Sequence, residues 1–153
     1  MARILEEYAN RGVFRGFSGG QLRGGKAIFT MLWHRDRSFE LILDVRRNTM
    51  RFPVVLPEVP RGSSMYQEFK EFIESRHSEK LPEHRRIDRR KARVRSSNRG
   101  GDVSLTLTVE DRDYEYGARK FIHLVHEVYM VFLSDGRYYE YMVDKFDLDP
   151  DRI

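Results

Sequence analysis

The sequence contains no cysteine, and this absence excludes several classes of site at once. Without cysteine the chain forms no disulfide scaffold, no thiolate zinc site, no iron–sulfur cluster and no cysteine nucleophile. It also lacks any apolar run near the ~18 residues that a membrane-spanning helix needs. Its first residues, MARILEEY, carry two glutamates where a signal peptide has an apolar segment. We therefore expect a cytoplasmic protein without a membrane partner.

Large apolar side chains are plentiful enough to build a core. The 153 residues (18.3 kDa) are 40% hydrophobic and include 10 Phe and 8 Tyr, although 34% are charged. Domains usually run ~100–200 residues, and this hydrophobic content argues against disorder. We therefore predict a single domain over residues 1–153.

Arginine dominates the positive charge and is concentrated in one segment. The chain has 22 Arg against six Lys, with a formal net charge of +4. Residues 84–99 hold eight basic residues and one acid, Asp88, which gives a local charge of +7. The planar, permanently charged guanidinium suits carboxylates and phosphates. The candidate anion-binding or nucleic-acid-binding residues are Arg85, Arg86, Arg89, Lys91, Arg93, Arg95 and Arg99.

Two other interpretations of this charge stay open. A solvated surface has the same composition. The acidic segment 135–153, from the same or a neighbouring subunit, also offers carboxylates with which these arginines could pair. We expect its last residues, 147–153, to form a frayed acidic tail.

Hydrophobic periodicity predicts helices and strands in the order α-β-β-β-α-β-β-α-α. The elements before residue 80 are a helix at 2–9, a glycine-rich loop at 12–25, strands at 26–34, 38–45 and 50–56, and a helix at 64–76. Val13 to Phe17, within the loop, is a candidate for a short edge strand. The strand at 26–34 has apolar residues on both faces, so we expect it to be covered on both sides.

A second hairpin is predicted from two alternating runs, the Arg-rich segment and residues 103–109. Arg89, Lys91, Arg93 and Arg95 share one face of the first run, while the other face is apolar. Side chains two residues apart on a strand are separated by about 7 Å, close to the phosphate spacing along a single nucleic-acid strand. Because no aromatic residue interrupts this face, any nucleic-acid binding should be weak and tolerant of sequence.

The helix predicted at 116–133 is the most apolar element. Its apolar residues cover an arc of about 200°, more than the ~100° stripe of a surface helix. Either a second layer of this chain or a second subunit must cover the excess. We predict a homodimer, and the candidate dimer or partner interface is Phe121, Leu124, Val128, Val131 and Phe132. A short helix follows at 138–146, with a strand as the alternative.

Three motifs come close to known sites and fail. Gly20–Lys26 is spaced like a nucleotide-binding phosphate loop, but Ala27 replaces the required hydroxyl and a strand follows instead of a helix. His123 and His126 are three residues apart, whereas zinc-binding helices space their histidines by four. Asp147, Asp149 and Asp151 begin like a calcium loop, but the chain ends too soon to complete it. We expect neither a metal nor a cofactor.

These elements predict an α+β fold, with an antiparallel sheet of about five strands and helices packed on one face. The order of elements resembles the small secretion-chaperone-type α/β fold, and this resemblance implies a homodimer that binds other proteins. We therefore expect a noncatalytic cytoplasmic protein-interaction module, chaperone- or adaptor-like. The alternative is a weak, sequence-tolerant nucleic-acid-binding protein that uses the Arg-rich hairpin face, and an enzyme ranks third.

Overall fold

The computed structural model describes residues 2–34 and 36–146, with the side chain of Phe146 outside the description. The predicted tail at 147–153 therefore lies outside the described residues. The strands are β1 (Arg15–Gly19), β2 (Lys26–Trp33), β3 (Arg37–Asp44), β4 (Thr49–Leu56), β5 (Ala92–Arg99) and β6 (Asp102–Val109). The helices are α1 (Ala2–Asn10), α2 (Ser64–Ser75), α3 (Tyr114–Glu127) and α4 (Tyr139–Phe146). Short helical turns lie at Glu83–Arg85, Val128–Phe132 and Gly136–Tyr138, the second of them π-helical.

All six strands form one antiparallel sheet in the order β1-β2-β3-β4-β6-β5. Consecutive pairing of β1 to β4 makes a meander, and β6 joins it by pairing with β4. The α+β class and the antiparallel sheet are thus confirmed, with six strands instead of about five. The segment at 138–146 is mainly helical, which resolves the choice between helix and strand.

The additional strand, β1, comes from the glycine-rich segment, which was predicted to be a loop with Val13 to Phe17 as a candidate edge strand. Its β1 pairs with β2 through Ser18 and Thr30, whose hydroxyls are 2.7 Å apart. At Gly19 φ is +101°, and a Cβ there would collide with the carbonyl oxygen of Ile28. Glycine therefore lets this edge strand approach β2 closely, so the glycine density reflects strand packing as well as turns.

The helices cover one face of the sheet. Helix α2 contacts β5, α3 contacts β4 and β6, and α1 contacts β1 and α3. Alternating residues such as Leu41, Phe52 and Leu105 point into this layer and are fully buried. The ring centres of Phe52 and Phe121 are 4.9 Å apart, which fixes α3 over the middle of the sheet.

The opposite face, which we call the open face, carries no helix of the described chain. Ile28 of β2 is 49% exposed on it, so the expected covering of this strand on both sides is wrong. An antiparallel sheet with one wet face is a common arrangement, and its outward side chains are available to ligands.

The close packing of α3 on the sheet is tested by Gly117→Ala. A Cβ at Gly117 would collide with Val109 Cγ1 and come within 2.6 Å of Met50 Cε. The β-branched Val109 has little rotamer freedom, so overpacking should cost about 1–3 kcal/mol despite the gain in helix propensity. Chemical denaturation measures the loss. Gly136→Ala, where nothing lies within 4 Å of the new Cβ, is the control, and equal stability of the two variants would contradict the packing.

Candidate anion-binding site

The structure divides the Arg-rich segment into two groups of side chains. Strand β5 begins at Ala92, so Arg89 and Lys91 lie in the turn before it and not on its face. Arg89 forms an ion pair with Glu74 of α2, and the Lys91 Nζ lies 5.0 Å from the ring centre of Tyr116. The predicted four-cation face is therefore corrected, because two of its members contact the helical layer instead.

The buried Glu127 forms an ion pair with Arg85, near the start of the Arg-rich segment. Its carboxylate is buried at the C-terminal end of α3, with 4% of the residue exposed. Arg76 and Arg85 both donate to its Oε2, at 3.1 and 3.3 Å. The Nε2 of His123 is 3.1 Å from Oε1, and burial lowers the pKa of His123 although the carboxylate opposes this. Since Arg85 helps neutralise a buried charge, it serves the fold.

Arg86 and Arg90 are also held by contacts within the chain. Arg86 donates to the backbone carbonyl of Glu79 at 3.1 Å. Arg90 donates to both carboxylate oxygens of Asp88, and these hydrogen bonds lower the pKa of Asp88 to about 2. A depression of about 580 Å³ lies among these residues, and it contains carboxylates beside its cations. Because its three arginines already donate to acceptors within the chain, we place the candidate site elsewhere.

The second group, Arg93, Arg95 and Arg99, alternates along β5 on the open face. Arg93 lies 3.7 Å from Glu110, which makes a long ion pair on the surface. Among residues 2–34 and 36–146, no carboxylate pairs with Arg95 or Arg99. Their guanidinium donors are therefore available to solvent or to a ligand.

Strand pairing brings one more arginine beside this group. Arg51 of β4 is opposite Thr106 of β6, which in turn is opposite Arg95 of β5. Neighbouring strands lie ~4.8 Å apart, so the backbones at Arg51 and Arg95 are about 10 Å apart. Within the part of the chain that the structure describes, no carboxylate pairs with Arg51. We call Arg51, Arg93, Arg95 and Arg99 the arginine strip.

A shallow depression of about 490 Å³ lies beside the arginine strip. Lys26 and Arg47 contribute further cations to its lining, and Thr106 contributes a hydroxyl. Asp44 also lines it, but its Oδ1 accepts backbone hydrogen bonds from Arg46 and Arg47 at 3.1 and 3.2 Å, which stabilises the β3–β4 turn. The depression thus presents guanidinium, ammonium and hydroxyl donors, the groups that phosphate oxygens accept from.

Sequence reasoning missed Arg51, Lys26 and Arg47 as members of the site. Alternation contained a signal for Arg51, because Met50 and Phe52 point inward and leave it outward. Alternation contained no signal for which strand pairs with β4. Pairing of β4 with β6 crosses a long stretch of chain, and only this pairing brings Arg51 to Arg95.

The five residues predicted for a dimer or partner interface do not form a surface. Phe121, Leu124, Val128 and Phe132 are buried in the core of the chain itself, and Val131 is 45% exposed. Phe132 packs against Phe69 of α2, with ring centres 5.5 Å apart. The wide apolar arc is thus covered by a second layer of the same chain, so it no longer indicates a second subunit.

The histidines of α3 lie in different surroundings. His123 lies beside Glu127, whereas His126 is exposed, with its ring centre 5.9 Å from that of His34. In the described ranges, no three His, Asp or Glu side chains are grouped so that they could hold a metal ion. Asp147, Asp149 and Asp151 lie outside those ranges.

The chain matches no protein-family model, no curated protein and no solved structure. The resemblance to the secretion-chaperone-type fold therefore remains a prediction from the order of the elements. Across residues 2–34 and 36–146, no helix combines the length and the apolar character that crossing a membrane requires.

Glu127→Gln tests whether the buried carboxylate holds the first group of arginines. Removing the charge leaves Arg76, whose side chain is 13% exposed, without its ionic partner, so stability should fall by about 3–5 kcal/mol. The control is Glu74→Gln, which removes an exposed partner of Arg89 and should cost at most about 1 kcal/mol. Chemical denaturation compares the two variants. Similar losses would show that Glu127 has no special structural role.

Proposed function

We propose that this chain is a noncatalytic cytoplasmic nucleic-acid-binding protein that holds backbone phosphates on the open face of its sheet. One observation carries the proposal: Arg51, Thr106 and Arg95 lie side by side on three paired strands, with no carboxylate of the described chain paired to either arginine. Arg93 and Arg99 extend this cationic surface along the edge strand.

Phosphate is an anion that these donors fit, and a polymer of phosphates matches a repeated set of them. A guanidinium forms two parallel, charge-assisted hydrogen bonds with phosphate oxygens, and a threonine hydroxyl supplies another. The strip repeats the donors at intervals along and across strands, so it suits a chain of phosphates better than a single small anion. Counterions released from the nucleic acid favour such contacts, and added salt opposes them.

Recognition of a particular base sequence is not expected at the strip. The outward residues of β4, β6 and β5 are arginine, threonine, serine, aspartate and proline, with no aromatic ring for stacking. Phosphate contacts carry no sequence information by themselves. The proposed protein therefore binds nucleic acids broadly, with dissociation constants of about 10⁻⁴–10⁻⁶ M at physiological salt.

The competing hypothesis, a protein-interaction module, loses the observation that favoured it. That hypothesis required apolar surface on α3, and four of its five named side chains lie in the core. A homodimer and a protein partner remain predictions from sequence alone, and the open face now gives the nucleic-acid hypothesis the stronger support.

Replacing the arginine strip by glutamine tests the proposal. The variant carrying Gln at positions 51, 93, 95 and 99 should lose binding to a labelled oligonucleotide, as measured by fluorescence anisotropy. In the wild type, four phosphate contacts predict a log–log salt slope of about −2.8 for a single strand, since each contributes about −0.7. All four residues are on the open face, so circular dichroism should show an intact fold.

Two control variants make the result specific. The first control replaces Arg3, Arg11, Arg119 and Arg137, on the helical side of the protein, by glutamine. It removes the same total charge and should preserve most of the binding. The second control replaces Arg89 and Arg90 by glutamine. It tests the first group of the Arg-rich segment and should also have little effect on oligonucleotide binding. If the strip variant and the helical-side variant lose oligonucleotide binding equally, the binding depends only on the net charge of the protein, which would contradict the proposed site.

A further inference from the structure

The open face has an apolar part directly beside the arginine strip. Ile28 of β2 lies opposite Ile42 of β3, and Ile42 lies opposite Arg51 of β4. Continuing through Thr106 to Arg95, this row crosses five neighbouring strands. We call Ile28 and Ile42 the isoleucine pair.

The isoleucine pair is unusual for a water-facing position. Outward side chains of a one-sided antiparallel sheet are generally polar, yet Ile28 is 49% exposed and Ile42 is half-buried. Leu32, four residues further along β2, is a third apolar residue on this side, and the pair of Thr30 and Glu40 separates it from Ile28. A small apolar surface therefore continues the cationic surface, at a spacing of ~4.8 Å per strand.

A ligand that fits both surfaces needs anionic groups and, within about 10 Å of them, apolar groups. A single nucleic-acid strand has this arrangement, because its unpaired bases turn away from the phosphates and expose their faces. In a duplex the bases are stacked and paired, and only their edges reach a protein through the grooves. The isoleucine pair beside the arginine strip therefore favours single-stranded over double-stranded nucleic acid.

We infer that the open face selects single-stranded nucleic acid, with phosphates on the arginine strip and bases on the isoleucine pair. This inference rests on the proposed function and adds to it the class of nucleic acid and the placement of its phosphates and bases on the sheet. Every base has a π-face, so the preference for single strands does not bring a preference for sequence.

The test uses the full chain, a labelled single strand of mixed sequence, a duplex of equal length and an abasic strand with the same number of phosphates. The variant combines Ile28→Thr and Ile42→Thr, which keep β-branched side chains on the sheet and remove apolar contact. We expect its affinity for the single strand to fall roughly tenfold. Its salt slope and its affinity for the duplex should not change, and the abasic strand should bind the wild type and the variant equally weakly.

A control variant combines Met130→Gln and Val131→Thr, which remove apolar groups that are exposed near the end of α3. It should bind the single strand like the wild type. The inference fails if the wild type binds duplex as tightly as single strand, or if the isoleucine variant binds the single strand normally. In both cases the proposed function survives, provided that the arginine-strip variant still loses binding.

Vesicles containing phosphatidylglycerol test a different anionic partner. Under the inference, the wild type should bind the single strand and show no binding to these vesicles that depends on the isoleucine pair. Loss of vesicle binding in the isoleucine variant, combined with unchanged binding of the single strand, would assign the surface to anionic lipid and overturn the inference.

Discussion

Pairing of β4 with β6 is the interaction on which the rest of this structure depends. It joins a four-stranded meander to a hairpin that follows much later in the chain, and so makes one sheet. On the face of this strand pair that is covered by α3, Phe52 and Leu105 are opposite each other and buried in the core. The other side places Arg51 next to Thr106 and Arg95. Core and candidate site are thus two faces of the same strand pairing.

The distribution of charge depends on a second constraint, the burial of Glu127. A buried carboxylate needs partners, and Arg76 and Arg85 provide them. Together with the Asp88–Arg90 and Glu74–Arg89 pairs, it engages many of the basic residues between 84 and 91. The basic residues that give residues 84–99 a charge of +7 therefore do not form one continuous surface patch. Arg95 and Arg99, with which no carboxylate of the described residues pairs, lie on β5 and point away from the core.

Local patterns made much of the fold predictable, while long-range contacts decided the site. Alternation placed β3 to within one residue, because one burial face sets the pattern. The hydrophobic period located α3, but the helix predicted to 133 is α-helical only to Glu127 and continues as the π-helical turn Val128–Phe132. The same period could not show whether sheet, helix or a second subunit covers Phe121, since a helical wheel contains no partner. Nor could it show that Arg89 reaches Glu74, or that Gly19 marks a closely approached strand. These outcomes depend on contacts between segments far apart in the chain.

The central claim is that phosphates bind to the open face, and amide chemical shifts locate that contact directly. In a titration of the ¹⁵N-labelled wild type with a short single-stranded oligonucleotide, we predict the largest shifts at Arg51, Arg95 and Thr106. Residues of α1 and α2, on the opposite side of the sheet, should change little. Largest shifts in those helices, or at Arg85 and Arg89 with a silent open face, would contradict the account.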